Sequence, residues 1–159
     1  MIKGLFYTFP LSLVIFNKPI FTNQNLINMS FLAKLEIDGE TMNVLECHFK
    51  LSQDSDKTGK PSGDPHGGEI ILILESTKST MLFDWMKSNS QTKNGKLTFY
   101  KRDALSKMRE LEFNEAYCLG YSETFTAVSN SSMSVEIVVS AKEIIMNGSK
   151  LSRNWPLKF

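Results

Sequence analysis

From Phe31 onward, hydrophobic and polar positions alternate with a period of two. Phe31, Ala33, Leu35 and Ile37 share one parity; Leu32, Lys34, Glu36 and Asp38 share the other. Successive side chains of an extended chain leave opposite faces, so this pattern predicts a half-buried strand. Asp38-Gly39-Glu40 reads as a tight turn, with Gly39 supplying positive φ. Leu45, Cys47, Phe49 and Leu51 then alternate with Glu46, His48 and Lys50, which predicts the second strand of an antiparallel hairpin. Residues 52–68 (SQDSDKTGKPSGDPHGG) break the pattern: four glycines, two prolines and no large apolar side chain. Such a segment cannot enter a core, and a connection this long is commonly functional or disordered. Ile70 to Leu74 is an unbroken apolar row, which predicts a strand covered on both faces.

One segment has a helical period. Ser79 and Thr80 offer an N-cap hydroxyl, and Met81, Leu82, Trp85 and Met86 recur at the spacing of one helix face. A helix of about three turns is expected, with Lys87 in its last turn and Asn89 closing it in the left-handed conformation. Strands resume after Asn94-Gly95, with Leu97 and Phe99 on one face and Thr98 and Tyr100 on the other. Asp103 to Ser106 is a connector. A long alternating stretch from Met108 to Ala127 carries Leu111 and Phe113, then Tyr117, Leu119, Tyr121 and Phe125; a bulge at Asn114-Glu115-Ala116 explains its change of register. Ser129 to Ser132 is a turn. Met133, Val135, Ile137, Val139 and Ala141 form the last long strand, extended by Ile144 to Met146 before Asn147-Gly148. The class is mainly β: a small two-sheet β-barrel or sandwich with one short flanking α-helix and one long extended loop.

Composition narrows the class of partner. The 159 residues suffice for one domain, and 42% hydrophobic against 22% charged residues is an ordinary globular balance. A net charge of +1 supplies no basic field for nucleic acid. Cys47 and Cys118 are too few for a disulfide scaffold and read as buried free thiols of a reducing compartment.

Residues 1–28 differ from the rest. They hold Lys3 and Lys18 and no acid, so that 16 basic residues face 17 acidic ones from Met29 onward. An apolar run from Leu5 to Phe16 resembles a signal sequence. However, Pro10 interrupts it, no small-x-small cleavage site follows, and it is too short and broken to span a bilayer. Three readings stand: translation begins at Met29 and the preceding text is spurious, which is the expectation; the segment is a signal or anchor; or it is an ordered extra element. The domain proper is residues 29–159.

Candidate chemistry is sparse. His48 lies on a polar strand face and His66 in the loop, without zinc-ligand spacing to either cysteine. No G-x-S-x-G occurs, and Gly59-Lys60-Pro61-Ser62-Gly63 lacks the spacing of a phosphate loop. Glu75 and Asp84 read as surface charges. Lys101-Arg102 beside Phe99 and Tyr100 is too small a basic-aromatic cluster to indicate nucleic acid. No catalytic constellation, metal site or cofactor site is expected.

A series of ordered segments carries more information than any single motif. Met29-Ser30-Phe31-Leu32-Ala33-Lys34-Leu35-Glu36-Ile37-Asp38-Gly39 resembles the opening of the Hcp (TssD) tube proteins of type VI secretion, and Met42-Asn43-Val44-Leu45-Glu46-Cys47 is similar to their second strand. Thr58 to Gly63, Gly67-Gly68 and Glu75-Ser76-Thr77 resemble their long loop and the strand after it, and Leu82-Phe83-Asp84-Trp85-Met86 their single helix. Leu97 to Ala104, Glu110 to Phe113 and Asn154-Trp155-Pro156 continue the likeness in order.

The resemblance implies a non-enzymatic barrel. Six subunits would form a ring, and rings would stack into a tube that a contractile sheath drives outward behind a spike. Baseplate proteins and secreted effectors would be partners; no cofactor, nucleic acid or stable membrane insertion is implied. Assembly would take place in the cytoplasm, before export by the apparatus. The ring-to-ring contact is expected in the loop: Asp54, Asp56, Lys57, Thr58, Gly59, Lys60, Pro61, Ser62, Gly63, Asp64, Pro65, Gly67 and Gly68. Mixed charge there favours specific, reversible contacts. A phage-type tail tube protein shares the architecture. A small-ligand-binding barrel is disfavoured by large inward residues such as Leu35, Phe49, Leu72 and Phe99.

Overall fold

The structure is a computed structural model that describes residues 31–101, 106–127, 133–153 and 155. The first hairpin forms as its alternation dictates: β1 (Ala33–Ile37) pairs antiparallel with β2 (Glu40–Ser52), Leu35 opposite Met42. The turn needs two residues with positive φ, Asp38 (49°) and Gly39 (81°), which places the hairpin in the tight primed class. Phe31 lies outside β1 and is exposed rather than part of the core.

Six strands close into a barrel. β3 (His66–Glu75) pairs with β2 and with β6 (Ser134–Ser140); β4 (Lys93–Tyr100) pairs with β1 and with β5 (Lys107–Thr124); and β5 also pairs with β6. All these pairings are antiparallel. The barrel is one continuous sheet bent round on itself rather than two separate sheets. β7 (Glu143–Met146) pairs with the first half of β5, and β8 (Ser149–Ser152) pairs with β7 across a turn at Asn147-Gly148. The segment expected to lengthen the last strand is therefore a separate hairpin.

The interior is filled. Leu35, Leu72, Leu97, Phe113, Ile137 and Val139 are completely buried, and Phe49 and Phe99 pack against them half-buried. The row in β3 is covered on one face only: Ile70, Leu72 and Leu74 are buried while Ile71 and Ile73 are half-exposed.

Bulges decide which apolar residues reach the core. Val44 pairs with Leu74 and Glu46 with Ile73, so Leu45 is an extra residue, 56% exposed. The inward set is therefore Met42 and Val44 before the bulge and Cys47 and Phe49 after it; Leu51 is exposed. In β5, Glu115 (φ 48°) makes the expected break, and a second bulge leaves Leu119 unpaired between Cys118 and Gly120. Ala116 and Cys118 point inward in place of the expected Tyr117 and Leu119. Phe125 is also exposed, at 72%. The expected connector at 103–106 (save Ser106) and the turn at 129–132 lie outside the described residues.

The helix is shorter than its period implies. α1 (Met81–Lys87) has seven residues, two turns, and buries Leu82 and Trp85. Met81 is half-buried and Met86 exposed, so Met86 does not belong to the packing face. Ser79 Oγ accepts the Met81 N–H at 3.2 Å, while the Thr80 hydroxyl donates to the Asp84 carboxylate at 3.0 Å. The helix ends at Ser88, which is extended (ψ 125°) and accepts the Gln91 N–H at 3.0 Å; Asn89 does not close it.

Candidate functional site

The pairing of β2 with β3 runs past the barrel to Ser52 opposite His66, and residues 53–65 fold back as a finger at that end. Every residue of the finger is exposed, as its composition requires, yet its shape is set by internal bonds. The Ser62 N–H donates to the Asp54 carbonyl (2.8 Å), Ser55 bridges Pro61, and the Asp56 N–H donates to the Lys60 carbonyl (2.8 Å). Asp56 organises the tip. Its Oδ1 accepts the Thr58 N–H (2.8 Å), the Thr58 hydroxyl (2.6 Å) and the Lys60 N–H (3.1 Å), while its carbonyl accepts the Gly59 N–H (3.0 Å). This is an aspartate-nucleated turn, which the D-x-T-G text favours. Gln53 donates to the Gly63 carbonyl at 3.0 Å, and His66 lies 3.4 Å from Asp54 at the base.

The expected loop residues thus divide. Asp54 to Pro65 form the finger, with Lys57 and Lys60 exposed beside an acid that is turned onto the backbone. Gly67 and Gly68 instead belong to β3. A Cβ on Gly67 would lie 2.5 Å from the Lys50 carbonyl, and one on Gly68 would lie 2.7 Å from the Arg153 guanidinium. Arg153 is a contributor that the sequence did not single out. Its guanidinium lies against Gly68, its Nη1 donates to Ser140 Oγ at 3.4 Å, and its N–H donates to the Lys142 carbonyl at 2.8 Å.

The Asp56 carboxyl is held below its ordinary value of 3.8, first by the Thr58 hydroxyl and then by the Thr58 and Lys60 N–H groups. A carboxyl depressed in the folded finger steadies it fully above that ordinary value, and the effect is lost as pH falls through the depressed one. Amide shifts of Thr58 and Lys60, followed by NMR in an acid titration, are expected to move with a midpoint below 3.8; a midpoint at or above it contradicts the turn. Asp56→Ala is expected to disorder the tip while leaving the midpoint of global unfolding unchanged, because every residue of the finger is exposed.

At the opposite end of the barrel, the Asp38-Gly39 turn and Asn94 border an open groove of about 410 Å³. Glu36, Lys96 and Glu112 line it from the outward faces of neighbouring strands, and Lys96 bridges Glu110 (3.1 Å) and Glu112 (3.2 Å). Lys93, buried beneath the turn, pairs with Asp38.

The two cysteines are free. Cys118 is buried and Cys47 half-buried, and burial pushes the Cys47 thiol up to about 11. Among the described residues no group of His, Cys, Asp and Glu is placed to hold a metal ion, and no helix is long and apolar enough to cross a membrane. Several apolar side chains stay outside, among them Leu45, Phe83, Met108, Leu119 and Phe125. Trp155 lies against Tyr117 with ring centroids 5.3 Å apart.

The family model of hemolysin coregulated protein Hcp (TssD) matches residues 29–156. Hcp1 from Flavobacterium johnsoniae is 37% identical, with a TM-score of 0.73 over 77% of this chain and 100% of that one. Hcp1 from Salmonella typhimurium shares the fold at 12% identity, with a TM-score of 0.62 over 77% of this chain and 92% of that one. A chain from the sheath/tube terminator of an extracellular contractile injection system, in the extended state, shares it at 20% identity, with a TM-score of 0.55 over 72% and 91%. No match was found among curated protein sequences. This chain belongs to the Hcp (TssD) family, the structural tube proteins of type VI secretion.

Proposed function

We propose that residues 29–159 form the subunit of a six-membered ring, and that rings stack through the finger at residues 54–65 into the inner tube. The observation that carries this reading is the finger itself. It is a fully exposed projection whose tip is held in shape by Asp56, so it is ordered before it meets a partner. Its root is continuous with the paired strands β2 and β3, which join it to the barrel wall.

Ring closure is supported by a second feature. Among the described residues β8 is the open edge of the sheet, and an open edge offers main-chain groups to a neighbouring copy. Repeated contact between two different surfaces of identical chains closes into a ring when the rotation permits. The exposed Leu45 and Leu119, raised on bulges, supply apolar area for such contacts. The tube assembles in the cytoplasm, is driven by a contractile sheath from a baseplate, carries a spike at its tip, and delivers effectors held in its lumen or fused to the subunit.

Deleting residues 57–64 tests the finger. The variant is expected to keep its barrel and its soluble rings, because the finger contributes nothing to the core, and to yield no sheathed tubes by electron microscopy of cells. Normal tubes in that variant would refute the assignment.

A further inference from the structure

We propose that the glycine bulge at the start of β3 is a hinge beneath the finger, and that Arg153 is the positioning residue that holds this hinge in one setting. The inference rests on the stacking reading only for its use: an element that joins rings has to point one way.

The hinge lies in the pairing of β2 with β3. Lys50 stands opposite Glu69 and Leu51 opposite Gly67, so Gly68 is an extra residue without a partner on β2. Gly67 (φ 143°) and Gly68 (φ 86°) both adopt backbone conformations that side chains rarely take. Only two ladder pairs, Leu51 with Gly67 and Ser52 with His66, separate the bulge from the finger. Two adjacent glycines bring no side chains of their own to resist rotation there, so their neighbours must supply the resistance.

For Gly67 the neighbour is the partner strand. The place of a Cβ is taken by the Lys50 carbonyl at 2.5 Å and Leu51 Cδ2 at 2.6 Å. For Gly68 it is Arg153. Nη2, Cζ and Nε of the guanidinium lie 2.7, 2.8 and 2.8 Å from the place of a Cβ, so the flat group fills the space of the absent side chain. The Gly68 carbonyl accepts the Ala141 N–H at 3.2 Å, which ties the bulge to the end of β6. Arg153 is itself held, by the bonds to Lys142 and Ser140 and by Trp155 packed on Tyr117. Glu69, Ser140 and Tyr117 form one cross-strand row, and Arg153 and Trp155 lie along it beside the bulge.

The test replaces Arg153 in the full chain and reads the hinge and the finger separately. In Arg153→Ala, hydrogen exchange at the Ala141 amide is expected to rise about tenfold or more, because that amide reports the bond to Gly68. The Asp56 and Ser62 amides, bonded within the finger, and the Ile137 amide of the core strand β6 are expected to stay within about twofold. Spin labels on Lys57→Cys at the tip and Glu46→Cys on β2 then measure the finger's direction, with labelled chains diluted into unlabelled ones. Both positions are exposed, while Cys118 is buried and burial pushes the Cys47 thiol up to about 11, so the native thiols label poorly. The distance distribution is expected to widen at least twofold in Arg153→Ala. Arg153→Met keeps a long side chain for the space over Gly68 and is expected to restore both readouts to near the native values.

Unchanged Ala141 exchange in Arg153→Ala overturns the clamp. Faster exchange with an unwidened distance overturns the hinge. A rise shared equally by the Ile137 or the Asp56 and Ser62 amides marks general loosening and overturns the positioning role, as does Arg153→Met behaving like Arg153→Ala. None of these readouts depends on stacking, so failure here is distinct from normal tubes in the finger deletion, which would sink the stacking reading instead.

Discussion

Trp85→Ala is expected to destabilise the fold by about 3–5 kcal/mol, the range for truncating a buried aromatic side chain to alanine. Trp85 is 0% exposed and lies in the main core cluster together with Leu82. Its Nε1–H donates to the Gln91 carbonyl at 3.2 Å, so the same side chain anchors the segment that leads from α1 into β4. α1 has only seven residues and two buried anchors, and a helix that short does not persist without tertiary contact. Loss of Trp85 therefore leaves a cavity and also releases the helix. For a chain of this length the expected fall in Tm is roughly 10 °C or more. Trp85→Phe keeps most of the volume and removes the donor, so it is expected to cost only about 1–2 kcal/mol. Both are measured by denaturant unfolding at fixed protein concentration, because ring formation adds to apparent stability. Equal losses for the two variants would contradict the packing argument.

Gly95→Ala is the second large effect, at about 1–3 kcal/mol from overpacking. The alternation predicts a strand that begins only after Asn94-Gly95, but both residues lie inside β4, where Gly95 stands directly opposite Phe113. The Phe113 ring occupies the space a side chain would take: a Cβ on Gly95 would sit 2.2 Å from its Cζ. Phe113 is completely buried, so the ring has no free space to turn into. If the clash is the cause, shortening the ring must relieve it. Gly95→Ala combined with Phe113→Leu is expected to be less destabilising than the sum of the single changes by at least about 0.5 kcal/mol in a double-mutant cycle. Strict additivity would place the cost elsewhere.

These two sites also mark what the residues disclose about the fold and what they leave hidden. The period-two alternation places the first hairpin, the strand through Leu97 and the strand through Ile137 because each has one apolar parity facing a core. Composition alone excludes residues 53–65 from that core. Bulges are harder, since an extra residue is defined by its partner strand. Leu45, Cys47, Phe49 and Leu51 continue one parity so regularly that Leu45 reads as inward. The available signal was Met42 and Val44 on the other parity just before, which requires a switch of face between Val44 and Cys47. In β5, the small Ala116 and Cys118 take the interior while Tyr117 meets Trp155 on the outer surface, a choice that side-chain size alone would reverse. The helix lost a turn because Ser88 turns extended and caps the segment locally.

The site divides in the same way. A long glycine- and proline-rich insertion announces an exposed loop, and D-x-T-G signals a turn at Asp56, but the folding of 53–65 into a bonded finger depends on its closure by β2 and β3. Arg153 at the root is distant in sequence, and the acidic groove assembles from β1, β4 and β5. Neither has a local signature, because each exists only after the barrel closes.

Electron microscopy of the purified protein tests the tube-subunit account most directly. Six-fold rings of uniform diameter are predicted. A clean monomer persisting at high protein concentration would contradict it.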